Sequence, residues 1–456
     1  MVRTDVVIVG GGISGLSALH FLRQLKPHLT VRLFEKERRL GGTIGTDHVG
    51  GYSFDWGPNG FLDREPLTLR LSDELGLRDE LERAGANVGN RFILRQGRLR
   101  KVPTSPPAFL LSDVLGPLGK LRVLMEPFVG RPRSDVDESI YDFARRRIGR
   151  RAADYLVQPM VSGIYGGLAD RLSIKSCFPI MHEMESQYGS LFKAMIAKAR
   201  AAKAAGRKAG GPSGPGGWLT SFRGGLYRIV ERLDQHYTEF ITKGIGVRSI
   251  TADDNGYCVV LDDGSPLAAG GVILALPSYR AAGLVAGLSQ PLSEALAAIP
   301  YAPISVVCEG YQRSMVRRDL DGFGFLAPPK ERIRILGSIW TSSIFEDRAP
   351  DGCVQFRTMI GGDGDHESMQ LSDDELIAAV RRDLDGIVGL DGPPELVRVY
   401  RWRHGIPQFK VGHGEIMATI EAQLRRLRNI HITGNAYYGI GLNDCVRQSY
   451  RVVGAV

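Results

Sequence analysis

The sequence predicts a mixed α/β and α+β architecture of two or three domains, in which a doubly wound unit is assembled from both ends of the chain. Three observations lead there. Val6-Val7-Ile8-Val9 is a branched apolar run that passes directly into a glycine-rich turn and then an apolar helix pattern. A further strand, turn and helix pattern begins at His431. A chain of 456 residues also exceeds what one hydrophobic core serves.

The opening turn is Gly10, Gly11, Gly12, Ile13, Ser14, Gly15, in which glycines 10, 12 and 15 fit G-x-G-x-x-G. Between a strand and a helix, the first glycine makes the tight turn and the second admits a pyrophosphate. The third lets helix and strand pack closely. The helix start then offers free N–H groups and a partial positive charge to phosphates. A second strand at 31–34 ends in Glu35, whose carboxylate lies 20 residues beyond Gly15 and suits a ribose. This is a Rossmann-like unit. Arg38-Arg39-Leu40-Gly41-Gly42-Thr43 follows as a second phosphate-side element.

From 105 to about 200 the pattern is helical. Asp137-Glu138-Ser139-Ile140 reads as a helix start, with Ile140, Phe143, Ala144 and Ile148 at helical spacing. Prolines 103, 106, 107, 127 and 132 cut the earlier part into short pieces, and 206–217 reads as a loop or boundary. Strands are predicted at 247–250, 257–261 and 272–276, and a sheet from 304–310, 322–326, 335–339 and 354–360. After the 431–434 strand, Asn443-Asp444 is expected to cap a final helix, whose pattern still runs at Val456. The expected domains are 1–57, 216–280 and 405–456 for the nucleotide; 58–104 and 281–404 for a mixed-sheet substrate domain; and 105–215 for a helical domain.

Composition narrows the class. No apolar run reaches the length of a spanning helix, and the first residues lack a leader pattern. The five scattered cysteines show no C-x-x-C, which favours reduced thiols over disulfides or zinc and a cytoplasmic setting. The net charge is +8, with basic clusters at Arg145–Arg147 plus Arg150 and Arg151, and at 198–208. Neither is interleaved with aromatics, so nucleic acid is not an expected partner.

The glycine motif, Glu35 and the Arg39-Leu40-Gly41-Gly42-Thr43 element resemble FAD-dependent amine oxidases, phytoene desaturases and protoporphyrinogen oxidases. Gly57-Pro58-Asn59-Gly60-Phe61, Ser162-Gly163-Ile164-Tyr165-Gly166-Gly167, Gly322-Phe323-Gly324-Phe325-Leu326, Arg401-Trp402 and Gly439-Ile440-Gly441-Leu442-Asn443-Asp444-Cys445 narrow the resemblance to the protoporphyrinogen oxidase family, in its bacterial branch. It covers the whole chain. The resemblance implies an amine-oxidase-type fold and FAD. It implies oxidation of protoporphyrinogen IX to protoporphyrin IX by oxygen in haem biosynthesis, six electrons passing through the flavin with release of hydrogen peroxide.

On this resemblance, Gly10 to Gly15 hold the pyrophosphate, and Glu35 and Lys36 sit at the ribose. Gly42, Thr43, Gly57, Pro58, Asn59 and Gly60 run beside the flavin. Val247 meets the adenine, and Trp402, Ile440, Gly441 and Leu442 close over the ring. Arg91, Phe323, Leu326 and Met359 are the expected substrate residues: a bidentate cation for a propionate, and apolar surface for a macrocycle. No side chain is singled out as catalytic and no metal is expected. Coproporphyrinogen III is the alternative substrate. Another amine or polyene oxidase, or a porphyrin-carrying flavoprotein, are the further alternatives. The helical region and basic clusters suggest contact with the inner face of the cell membrane; its apolar faces fit packing on other domains or a second subunit as well. Handover of product to a chelatase stays open.

Overall fold

The computed structural model describes residues 3–131, 136–204 and 217–456. Pro132 and the predicted loop at 206–217, except Gly217, lie outside them.

Arg3–Val9 is the central strand of a seven-stranded sheet. Val31–Glu35 and Pro266–Leu274 flank it in parallel, Ile241–Lys243 lies outside Val31–Glu35, and Ile430–Ile432 pairs with the end of Pro266–Leu274. The antiparallel pair Val247–Asp253 and Gly256–Leu261 extends the other half of that strand. Both faces are covered. Helices Ile13–Leu25 and Leu442–Ala455 pack on Val6 and Ile8; Gln290–Ala297 and His413–Leu424 pack on the face of Val7 and Val9. Burial on both faces explains why this strand is an unbroken apolar run rather than an alternation.

Two expectations change here. The final helix starts at Leu442 with Gly441 as its cap residue, and Asp444 accepts the Gly441 N–H at 3.2 Å. Asn443 therefore lies inside the first turn. Ala282, Val285, Leu292, Leu296 and Ile299 belong to the core under the nucleotide sheet. That packing favours a domain boundary near Pro300 rather than after 280.

A second seven-stranded sheet runs in the order Leu396–Pro407, Tyr301–Gln312, Cys353–Gly361, Ile335–Trp340, Gly324–Leu326, Arg91–Arg95, Arg98–Lys101. It is mixed, because Gly324–Leu326 and Arg91–Arg95 pair in parallel. Val307, Tyr311, Phe356 and Trp340 face helix Asp373–Val388, through Leu376, Val380 and Leu384. The other face carries Ile304, Val306, Arg357, Met359 and Trp402, which line a cavity. The sequence motifs did not single out Leu396–Pro407 as a strand.

Glu309 shares the helix-covered side with Val307 and Tyr311 and has no solvent exposure. Burial pushes its carboxyl from 4.5 up to about 7, opposed by a 3.3 Å hydrogen bond from the Tyr311 hydroxyl. The unfolded chain ionises this group first. Its contribution to folding is therefore full below pH 4.5 and is lost as pH rises to about 7. Glu309→Gln is expected to remove this dependence, a difference of about 3 kcal/mol. Denaturant unfolding of both proteins at about pH 4.5 and about pH 8 checks it; a constant gap between them contradicts it.

The third region is helical. Ser139 caps Ile140–Ile148, its hydroxyl accepting the Asp142 N–H at 3.0 Å. The basic cluster expected at the surface is partly internal. Arg147 is fully buried between Glu126 and Glu185, and Arg146 pairs with Glu138 and Glu185. A π-helical turn, Ala153–Val157, brings Leu156 and Val157 to the cavity.

Candidate functional site: a dinucleotide cleft opening into an apolar chamber

The three regions enclose one cavity of about 1710 Å³. It begins at the C-terminal ends of the nucleotide sheet and continues under the second sheet to the helices. Of the predicted cofactor residues, Gly10, Gly12, Ile13, Ser14, Glu35, Lys36, Gly42, Thr43, Gly57, Pro58, Asn59, Gly60, Val247, Trp402, Ile440, Gly441 and Leu442 line it. Arg91, Phe323, Leu326 and Met359 line it too.

The glycines separate by role. Gly12 has extended backbone, φ −72° and ψ 175°, and a Cβ there would meet nothing within 4 Å, because it would point into the cavity. As the helix N-cap it brings no side-chain acceptor, so the first-turn N–H groups stay available to an anion. A Cβ on Gly15 would lie 1.9 Å from the Gly10 carbonyl oxygen. Gly15 and Gly11 do not line the cavity: Gly15 is a packing contact, and Gly11 donates its N–H to the Glu35 carboxylate at 2.6 Å. The other Glu35 oxygen accepts the Glu37 N–H at 2.9 Å. Two backbone donors thus aim this carboxylate into the cleft.

Arg39 braces the second glycine turn. Its guanidinium donates to the carbonyls of Leu40, Ile44 and Gly42, and it stacks 4.6 Å over Trp56. It holds the turn that carries Gly42 and Thr43, and it also lines the cavity. A dinucleotide fits the cleft on a second ground. Asn59 Nδ2, Trp56 Nε1 and Trp402 Nε1 are buried donors without a protein partner, and all three residues line the cavity. Buried donors of this kind need an acceptor.

The far end is apolar. Val102, Phe109, Met160, Ile164 and Leu326 form much of it. Arg91 lies at its wall, 5.3 Å over the Phe323 ring, with no ion pair among the described residues. Desolvation by these walls lowers its pKa from the ordinary arginine value, yet a guanidinium keeps its charge. Phe323 packs its other side on Ile344 and Phe345, so it is both core and lining. Met359 likewise packs on the cluster of Tyr52 and Phe54. The motifs missed Arg357, Trp56 and the helical-region lining. For Arg357 one signal was available: it stands two residues before Met359 on a strand, hence on the same face.

Fold and cleft together define a flavin-binding oxidoreductase, and the chain belongs to the flavin containing amine oxidoreductase family, whose model matches residues 13–456. It is 32% identical to protoporphyrinogen oxidase 1, chloroplastic, of Arabidopsis thaliana, over 98% of this chain and 87% of that one. It is 29% identical to coproporphyrinogen III oxidase of Bacillus subtilis, over 99% of this chain and 97% of that one. A crystal structure from Exiguobacterium sp. 255-15, assigned as a protoporphyrinogen oxidase, superposes with a TM-score of 0.84 at 26% identity, covering 100% of this chain and 99% of that one.

Proposed function

We propose that this chain uses FAD to oxidise protoporphyrinogen IX to protoporphyrin IX, with oxygen as the final acceptor and hydrogen peroxide as by-product. The observation that carries the substrate reading is Arg91, an unpaired cation at one wall of an otherwise apolar chamber. Protoporphyrinogen IX has propionates on one edge and apolar substituents on the other, which suits one cation and a wall of Phe109, Met160, Ile164 and Leu326. Coproporphyrinogen III has carboxylates on both edges. A second carboxylate edge calls for a further cation beyond Arg91.

FAD, when bound, supplies the two-electron acceptor. The chain's own residues position the partners. Gly12 and the uncapped helix start hold the pyrophosphate, Glu35 takes the ribose, and Asn59 and Trp402 offer donors toward the flavin. Phe323, Leu326 and Met359 exclude water from the macrocycle. Parallel fluorescence assays with protoporphyrinogen IX and coproporphyrinogen III test the reading. Faster turnover of coproporphyrinogen III transfers the chain to the second substrate. No porphyrin from either leaves another flavin oxidase or a porphyrin carrier. Arg91→Ala is expected to raise KM roughly thirtyfold, about 2 kcal/mol, with flavin content unchanged and partial recovery in Arg91→Lys. An unmoved KM makes Arg91 a surface charge.

The reading includes peripheral membrane contact. No helix among the described residues is long and apolar enough to cross a membrane. Short helices Pro106–Leu111 and Pro117–Leu124, with the turn after them, instead expose Leu111 (88%), Leu118 (70%) and Phe128 (86%). Phe109, next to that patch, lines the chamber. An apolar macrocycle then has a water-poor route inward. Co-sedimentation with anionic liposomes tests this, and Leu111→Glu with Phe128→Glu is expected to abolish it. A wild-type protein that stays in the supernatant removes the membrane contact.

A further inference from the structure

We propose that Arg357 supplies the fixed positive charge that faces the flavin ring and sets its reduction potential, a role that rests on the FAD reading above. Arg357 lies on Cys353–Gly361 with 6% of its surface exposed, and it lines the cavity. It makes no ion pair among the described residues. Its protein partners are neutral: Nε donates to the Asp55 carbonyl at 3.2 Å, and an amino group donates to the Gly57 carbonyl. The Asp55 carboxylate is engaged elsewhere, by Thr46 at 2.6 Å, by the Leu226 N–H at 3.1 Å and by Arg348 at 3.6 Å. A guanidinium carries five donors, of which these two bonds use only part.

The acid that acts on this buried cation is Asp55, without a direct ion pair, and Asp55 already pairs with Arg348, so the charge is only partly offset. Burial lowers the pKa of Arg357, but arginine remains charged in proteins. The charge therefore stands ready for something that fills the cavity.

Register places that charge relative to Arg91. Arg91 pairs with Gly324, Gly324 with Ile339, and Ile339 with Arg357. The two arginines thus sit in one row on one face, three strand spacings or about 14 Å apart. Between them lie only glycine and isoleucine. The Arg91 end is the apolar chamber. The Arg357 end is tied through Gly57 to the segment that leads away from the pyrophosphate turn, where the ring of an extended dinucleotide arrives. Two-electron reduction adds negative charge to a flavin ring, and a fixed cation in a dry site stabilises that form without reorganising. The effect is on an equilibrium and requires no further reactant.

The test uses the full chain with its bound flavin, reduced stepwise under anaerobic conditions beside a reference dye. Arg357→Lys keeps the charge, whereas Arg357→Gln and Arg357→Met remove it; Arg357→Gln can still donate to Gly57. Both neutral variants are expected to shift the reduction equilibrium roughly tenfold toward the oxidised form, about 30 mV for a two-electron couple. Arg357→Lys is expected to lie near wild type, and KM to move less than about threefold in all of them. Loss of flavin from both neutral variants, with retention in Arg357→Lys, also supports a contact between charge and ring. An unshifted equilibrium in a neutral variant that keeps its flavin overturns the proposal. A raised KM with an unshifted equilibrium does so too, and makes Arg357 a partner of substrate carboxylates. Wild-type protein that binds no flavin instead sinks the FAD reading itself.

Discussion

Gly12→Val is expected to give a protein that folds and unfolds like wild type but carries no flavin and has no oxidase activity. The backbone at Gly12 is extended and open to any residue, and a Cβ there meets no protein atom within 4 Å. It would stand where the pyrophosphate approaches the helix start. Losing two charge-assisted hydrogen bonds is worth about 4 kcal/mol, or roughly a thousandfold in affinity. Gly15→Val is the opposite case. Its Cβ would overlap the Gly10 carbonyl oxygen at 1.9 Å, so helix Ile13–Leu25 would have to move off its strand. The expected loss is about 4 kcal/mol or more of stability, seen as insoluble or low-melting protein. Flavin content after purification, measured beside the thermal midpoint, separates the two. Normal flavin in Gly12→Val would remove the pyrophosphate assignment.

Glu126→Ala is expected to cost about 3–5 kcal/mol in the helical region while leaving the nucleotide cleft intact. Glu126 is fully buried. Its carboxylate accepts from the Ser190 hydroxyl at 2.6 Å and from the N–H groups of Leu191 and Phe192 at 2.9 and 3.3 Å, at the start of helix Leu191–Ala204. It also pairs at 3.2 Å with Arg147, itself fully buried. One deletion therefore uncaps a helix and leaves a buried guanidinium short of a counter-charge. Glu185 still pairs with Arg147, which limits the damage to this region. Limited proteolysis within 105–204 and the thermal midpoint read the effect, with flavin content as the control. Glu126→Gln keeps hydrogen-bond acceptors and is expected to fall between. A midpoint equal to wild type would mean that the pair adds nothing to this region's stability, as happens when desolvation cancels the Coulomb gain.

Arg145–Arg147 illustrates where reading residues in order stops short. Three consecutive arginines look like a surface charge run. In the fold, Arg147 meets Glu126 and Glu185 from segments 21 and 38 residues away. Leu396–Pro407 shows a related limit. Apolar and charged residues alternate at Val397-Arg398-Val399 and again, one position out of phase, at Tyr400-Arg401-Trp402-Arg403, so no single alternation runs through it. By contrast, the helix start at Asp137-Glu138-Ser139-Ile140 was legible, because capping, which Ser139 supplies, is a local hydrogen bond over three residues.

The sequence by itself determined the features whose physics is local. These are the glycine turn between strand and helix, the acid at the end of Val31–Glu35, the apolar runs of a sheet buried on both faces, and the face shared by residues two apart on a strand. The tertiary structure alone decided which strands lie side by side and in which register. Arg91 and Gly324 are more than two hundred residues apart, yet their parallel pairing places Arg91 in line with Arg357. It also decided which charges are spent. Arg147 and Arg348 are spent on carboxylates, whereas Arg91 and Arg357 make no ion pair among the described residues. The physical reason is one of range. Turns, caps and alternation depend on neighbours within a few residues, whereas the environment of a charge depends on every segment that long-range packing brings within a few ångströms.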